Sequence, residues 1–277
     1  MHNEVLKNNI VSQPVNLTIK LNNLAKTLDP SRYTVSVSNL WWLFNHRIHQ
    51  HTDLQGFNQY TGWYGGKPEE LSKWINNYHT AKPDIRFSIS EYGAGGNIYQ
   101  QSNDIQTTPD PKCQFFPEPY MTHYHEVTYS AIKRNPFIWG SYVWNMFDFS
   151  VPEWDRGGIK GRNHKGLITY DRKTKKDAFF WYKANWSDEP VLYLVGRRNN
   201  QQKKGKFKIS AYSNIGAPEL FIDGKSMGKM GEDNFDVKYS KEISFKKGKH
   251  LIEVKQKHKE TVLNDSYILY IEKKIEK

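Results

Sequence analysis

The chain has one cysteine, Cys113, among 277 residues. A single thiol excludes an internal disulfide framework and any cysteine-based zinc or iron–sulfur centre, and a buried spare thiol is its expected state. No stretch approaches the ~20 consecutive apolar residues that a membrane-spanning helix needs, so no membrane partner is expected. Acidic residues are in deficit, 29 against 40 Lys and Arg, for a net charge of +11. Tryptophan is missing from the last third: all nine, Trp41 to Trp186, precede residue 190. What is present is apolar and aromatic enough, at 37% and 14%, to exclude a disordered chain and to fill one large domain or two ordinary ones.

The basic excess is local. Residues 191–277 carry 19 Lys and Arg against 11 Asp and Glu, a net of +8, and residues 1–190 carry only +3. No zinc-finger spacing or aromatic ribonucleoprotein motif accompanies the lysines. They read as a solvated face, and no nucleic-acid partner is expected.

The loss of tryptophan marks a domain boundary near Ser187–Pro190. Beyond it, short alternating runs (Val191–Val195, Lys206–Tyr212, Glu219–Ile222, Ile243–Phe245, Leu251–Val254, Ser266–Ile271) are separated by turn signals such as Asp223-Gly224 and Lys247-Gly248. Such spacing predicts a β-sandwich. The first 190 residues alternate differently. Val15–Leu28, Pro68–Tyr78, Tyr120–Arg134 and Asp177–Ala184 have helical spacing, whereas Tyr33–Val37, Leu54–Tyr60, Ile85–Ser90 and Pro136–Trp144 read as strands. About four strand–helix units around a parallel sheet predict part of a barrel, because a complete one has eight strands.

Three stretches place polar groups where such a barrel keeps its chemistry, at the carboxyl ends of strands. Glu91 ends an apolar run and is followed by Tyr92-Gly93-Ala94-Gly95-Gly96; it reads either as a carboxylate aimed at a substrate or as a surface acid before a flexible loop. The glycines lack the Lys-Ser/Thr ending of a phosphate-binding loop. Met1-His2-Asn3-Glu4 opens the chain, and a terminal Glu alone is ordinarily solvated. Trp144, in Val143-Trp144-Asn145, suits either a core strand or a platform for a sugar face. The histidine pairs His49/His51 and His123/His125 have a spacing that separates them on a helix, so no metal is expected there; only an extended segment would put His49 and His51 on one face.

Taken in order, Asn3-Glu4, Ser90-Glu91-Tyr92-Gly93, Val143-Trp144-Asn145 and Gly161-Arg-Asn163-His-Lys165-Gly166 resemble glycoside hydrolase family 2, the β-galactosidases and β-glucuronidases of gut bacteria. The resemblance covers essentially the whole chain. It implies an α/β plus all-β architecture: the carboxyl-terminal half of a (β/α)8 TIM barrel over 1–188, with strands five to eight and most of strand four missing, then an immunoglobulin-like β-sandwich over 189–277. It implies a retaining exo-β-glycosidase with two carboxylates ~5–5.5 Å apart, Glu4 as general acid/base and Glu91 as nucleophile. Asn3 matches the residue that holds the sugar 2-hydroxyl, Tyr60 a tyrosine that hydrogen-bonds the nucleophile, and Trp144 the wall of the sugar pocket.

Asn163-x-Lys165 resembles the loop with which β-glucuronidases grip the sugar carboxylate, although overall similarity suggests a β-galactosidase. Lys165 could instead neutralise a neighbouring acid such as Asp148 or Asp155. The implied partners are a carbohydrate substrate, the missing amino-terminal part of the same enzyme and, as an option, a second copy; no cofactor or metal is needed. With only three residues before Glu4, the chain alone is expected to be nearly inactive, and the absence of a leader says nothing of compartment. The competing expectation is a non-catalytic carbohydrate-binding or assembly module.

Overall fold

The computed structural model describes residues 12–39, 47–203 and 205–272. Asn3 and Glu4 lie outside these. In chain order the elements are α1 (Ser12–Leu28), β1 (Val35–Ser38), β2 (Leu54–Asn58), α2 (Glu70–Ala81), β3 (Phe87–Tyr92), α3 (Glu118–Lys133), β4 (Ser141–Val143), β5 (Phe149–Ser150), β6 (Arg162–Asn163) and α4 (Asp177–Trp186). There follow β7 (Leu192–Leu194), β8 (Gln201–Gln202), β9 (Lys206–Ser213), β10 (Glu219–Ile222), β11 (Lys225–Lys229), β12 (Gly231–Glu232), β13 (Lys238–Ser244), β14 (Gly248–His258) and β15 (Thr261–Ile271). No helix among the described residues is long and apolar enough to cross a membrane.

The chain divides into two compact units. One comprises the described residues up to Ala94 together with Ala131–Met146; the other comprises Gly95–Ser130 and the described residues from Phe147 onward. The boundary expected at 188/189 falls inside the second, in the short connection between α4 and β7.

The first unit holds a parallel sheet in the order β1-β2-β3-β4. Its helix α2 buries Leu71, Trp74, Ile75 and Tyr78, a stripe three and four residues apart that is one helical face. The helix ends at Lys82, whose φ of −140° has left the helical region, because Pro83 disfavours that region for the residue before it. Trp74 and Tyr78 meet Phe57 of β2 and Phe87 of β3 in edge-to-face contacts with centroids 4.9–5.8 Å apart. Aromatic quadrupoles favour this geometry. On α1 the periodicity is helical but the leucine stripe is not the buried one. Val15 and Thr18 are buried, and Leu17, Leu24 and Leu28 are exposed.

In the second unit two sheets, β11-β10-β14-β15-β8 and β12-β13-β9-β7, contribute alternate side chains to one aliphatic core: Leu194, Ile209, Ala211, Leu220, Ile243, Ile252, Val254, Leu269 and Ile271. The arrangement is compatible with a β-sandwich. Asp223 (φ 52°) and Gly224 (φ 77°) join β10 to β11; two consecutive positive-φ residues make the tight turn whose twist suits a hairpin. Cys113 is half-buried, and its thiol donates to the Phe115 carbonyl at 3.2 Å, because it sits in a loop rather than in either core.

Candidate active site

The first unit brings polar groups together at the carboxyl ends of its parallel strands, the end at which open α/β sheets bind ligands. Glu91 is the penultimate residue of β3. It lies opposite Asn58 of β2, where the register shifts by a residue, and its carbonyl accepts the Gln59 N–H at 2.7 Å. That bond carries the chain past the sheet edge to Tyr60, whose hydroxyl donates to Glu91 Oε2 at 2.8 Å. Both residues are half-buried. A phenol donating to a carboxylate favours its ionised form. The Tyr60 ring is braced edge-on by Tyr64, centroids 5.1 Å apart.

Trp144 follows β4, the strand beside β3, and its N–H donates to the Tyr92 carbonyl at 2.8 Å. A Cβ on Gly93 would come within 2.1 Å of the Trp144 carbonyl oxygen. The glycine after Glu91–Tyr92 therefore does more than allow a turn: it lets the two strand ends close on each other. Trp144 is 37% exposed as a residue.

Asn163 and Lys165 belong to the second unit and are 3% and 4% exposed. The Lys165 N–H donates to Asn163 Oδ1 at 2.9 Å, so the amide side chain is clamped to its own loop in an Asx-type turn. Asp148 has another partner than Lys165. Its Oδ1 accepts from Lys176 Nζ at 2.8 Å and from the Gly166 N–H at 2.9 Å, while Asp155 Oδ1 accepts from Gln114 at 3.1 Å. Lys176 spends its other protons on the carbonyls of Gly96 (2.7 Å) and His164 (3.0 Å). Burial pushes the Lys176 ammonium down and the Asp148 carboxyl up, and their mutual attraction opposes both shifts.

Five charged residues that the sequence pattern did not single out form two further ion-paired groups around buried acids. Arg198 donates to Glu118 Oε2 at 2.6 Å and to Asp177 Oδ1 at 2.6 Å. Asp177 also accepts from the Tyr193 hydroxyl at 2.6 Å and the Gly196 N–H at 2.7 Å. Burial first, and then the Glu118 charge, push the Asp177 carboxyl up to about 6. Close by in sequence on α3, Glu126 accepts from Lys238 at 2.6 Å and from the Tyr212 hydroxyl. The signal that could have found them was weak: acids in a helix that otherwise reads as ordinary.

No family model matches the chain. Among curated proteins it is 36% identical over 260 residues to a β-glucuronidase of Bacteroides fragilis, covering 94% of this chain and 37% of that protein. It is 23% identical over 253 residues to the β-galactosidase BoGH2A of Bacteroides ovatus, covering 84% of this chain and 28% of that protein. Among solved structures, a Bacteroides fragilis protein provisionally assigned as a β-galactosidase superposes with a TM-score of 0.92 at 40% identity, over 98% of this chain and 40% of its own. The chain thus spans well under half the length of these relatives.

Proposed function

Because this chain belongs to glycoside hydrolase family 2 and corresponds to the carboxyl-terminal portion of its relatives, we propose that it supplies half of the catalytic domain of a retaining exo-β-glycosidase acting on terminal non-reducing β-D-glycosides. In this reading β1–β4 are strands five to eight of a (β/α)8 barrel within 1–188, and residues 189–277 are an immunoglobulin-like sandwich. The remainder of the enzyme is the partner. The exposed leucines of α1 suit a surface that this remainder covers.

The Tyr60–Glu91 hydrogen bond carries the proposal. Glu91 attacks the anomeric carbon as the glycosidic C–O bond breaks, and Glu4 gives its proton to the leaving oxygen. Glu4, now a base, takes a proton from water, which attacks the glycosyl–Glu91 ester and frees the sugar and both carboxyl groups. Tyr60 keeps the attacking carboxylate ionised and oriented. Trp144 walls the sugar and Asn3 holds its 2-hydroxyl. Asn163 and Lys165 grip a sugar carboxylate by charge-assisted hydrogen bonding, which favours a β-glucuronide; a galactoside has only a neutral C6 hydroxyl to offer Lys165.

Assays with nitrophenyl β-glucuronide and nitrophenyl β-galactoside test this. The chain alone is expected to turn over neither at a useful rate, since ~1 Å of misplacement costs about a hundredfold. Combined with the remainder of the Bacteroides fragilis relative, it is expected to gain turnover, faster on the glucuronide, that Glu91→Gln abolishes. Turnover untouched by Glu91→Gln, or none in the combined enzyme, sinks the reading.

A further inference from the structure

In the second unit the Asn163-x-Lys165 loop is held by a buried ion pair, Lys176–Asp148, to which the hydrolytic reading gives no task. We propose that these two are positioning residues: by fixing the backbone on both sides of Lys165 they set the preference for a sugar that carries a carboxylate. This rests on the reading that Asn163 and Lys165 grip that carboxylate.

A residue has two soft backbone dihedrals, and both are fixed once the peptide groups on either side of it are held. The peptide before Lys165 is held by its carbonyl: the His164 oxygen accepts from the Gly96 N–H at 3.0 Å and from Lys176 Nζ at 3.0 Å. The peptide after it is held by its N–H. Gly166 donates to Asp148 Oδ1 at 2.9 Å, the same oxygen that Lys176 Nζ meets at 2.8 Å. The ammonium thus fastens both sides of Lys165, one directly and the other through Asp148. Asn163 moves with them, since its Oδ1 accepts the Lys165 N–H at 2.9 Å. Gly166 makes the close approach possible: a Cβ there would lie 1.9 Å from the Asp148 nitrogen and 2.7 Å from Asp148 Oδ1.

Lys176 is 1% exposed and Asp148 3%. The three protons of the ammonium meet the Gly96 carbonyl, the His164 carbonyl and Asp148 Oδ1. None is left for a ligand, so Lys176 acts only through the loop. Stability alone does not call for charges here. A buried ion pair loses much of its attraction to desolvation, and apolar residues of similar volume often serve folding as well or better. Burial indeed pushes the Lys176 ammonium down and the Asp148 carboxyl up. What an apolar pair cannot do is bind two carbonyls and an N–H at once. Carboxylate recognition should feel the loss most, because a charge-assisted hydrogen bond depends on direction as well as distance, whereas a neutral C6 hydroxyl turns to suit its partner.

The test compares nitrophenyl β-glucuronide with nitrophenyl β-glucoside, which differs only in its C6 hydroxyl, in the enzyme completed with the remainder of the Bacteroides fragilis relative. Lys176→Met/Asp148→Asn removes both charges and leaves Gly166 an acceptor. It should lower the kcat/KM ratio of glucuronide to glucoside about tenfold, through the glucuronide KM, with the glucoside within about threefold. Lys176→Gln/Asp148→Asn restores N–H donors and should recover part of that loss. In the chain alone, the Lys165 N–H shares a peptide plane with the His164 carbonyl. It should exchange with solvent about tenfold faster in the first double variant, the worth of one hydrogen bond, while amides between β14 and β15 keep their rates. Equal losses on the two substrates, an unchanged ratio, equal losses in the two double variants, or a Lys165 amide at its original rate each overturns the proposal. Lys165→Met separates it from the reading beneath. A ratio that Lys165→Met leaves in place, or no turnover in the completed enzyme, removes that reading and the proposal with it. A ratio that collapses in Lys165→Met yet holds in Lys176→Met/Asp148→Asn overturns the positioning role alone.

Discussion

The parallel sheet β1–β4 and the paired sheets β7–β15 are built on different terms. In the first, large aromatics do the packing, with Phe57, Tyr78 and Phe87 fully buried. Polar groups gather at the strand ends, where Glu91 and Tyr60 are half-exposed, and three leucines of α1 face outward. In the second, nearly the whole core is aliphatic, and the charges around Tyr193 and Tyr212 are buried and matched. The first arrangement leaves groups available for a ligand or another chain. The second leaves little to satisfy except stability. Substitutions should therefore register as lost stability in one region and as lost chemistry or association in the other.

The largest effects are expected in the carboxyl-terminal sheets. Leu220→Ala removes a fully buried side chain from between the two sheets and should cost about 2–5 kcal/mol. Arg198→Met strands Glu118 and Asp177, which are 2% and 4% exposed, and should cost about 3–5 kcal/mol, the penalty for breaking a buried ion pair. Denaturant titration measures both. A loss below about 1 kcal/mol for Arg198→Met would mean that water already reaches the two acids.

Tyr60→Phe should be milder on folding and specific to chemistry. Losing the donor to Glu91 Oε2 should lower kcat about ten- to a hundredfold in the combined enzyme, the worth of one hydrogen bond to a charged group (about 1.5–3 kcal/mol). A kcat within about twofold of the unaltered enzyme would make Tyr60 a packing residue.

Much of this contrast could be read from the chain before any coordinates. The switch from helical to alternating spacing near residue 190 anticipated the all-β region. The run Glu219–Ile222 has the observed bounds of β10, and Glu91 falls at a strand end as expected. What stayed hidden has a common cause. The strands β11 and β12, and the first half of β13, are rich in lysine, serine and glycine, and pairing with neighbours rather than apolar alternation makes them strands. The Lys176–Asp148 and Arg198–Asp177 pairs were hidden because burial of a charge depends on partners 28 and 21 residues away in sequence. The Asn163-x-Lys165 motif was legible, yet the partner of Asp148 proved to be Lys176. Local spacing cannot say which of two lysines reaches an acid.

Titration offers a smaller effect. With Asp177 raised to about 6 and Asp148 raised as well, the folded state holds protons that the unfolded chain has released by about pH 4. Stability should fall as pH rises from about 4 to 6 and level off above, by about 2 kcal/mol for Asp177 alone. Asp177→Asn should flatten that slope, whatever its effect on the plateau. A natural chain whose stability rises over the same interval would show that Arg198 outweighs burial at this carboxyl.

The smallest effect is expected at the leucines of α1. Leu17, Leu24 and Leu28 are 55%, 54% and 76% exposed, so serine at all three should change the stability of the chain alone by no more than about 0.5 kcal/mol per site, against the several expected for Leu220→Ala. If the remainder of a barrel covers this face, the triple variant should need a higher concentration of the Bacteroides fragilis amino-terminal portion to reach half-maximal turnover, with the maximum itself unchanged. Each leucine removed from water on association is worth at most about 1.5–3 kcal/mol, and its exposed reference state halves that, so a shift of tenfold or more is the expected reading. Equal half-maximal concentrations would place α1 on the outside of the assembled enzyme. The leucines would then be ordinary surface, and the contrast between the two regions would rest on the strand ends alone.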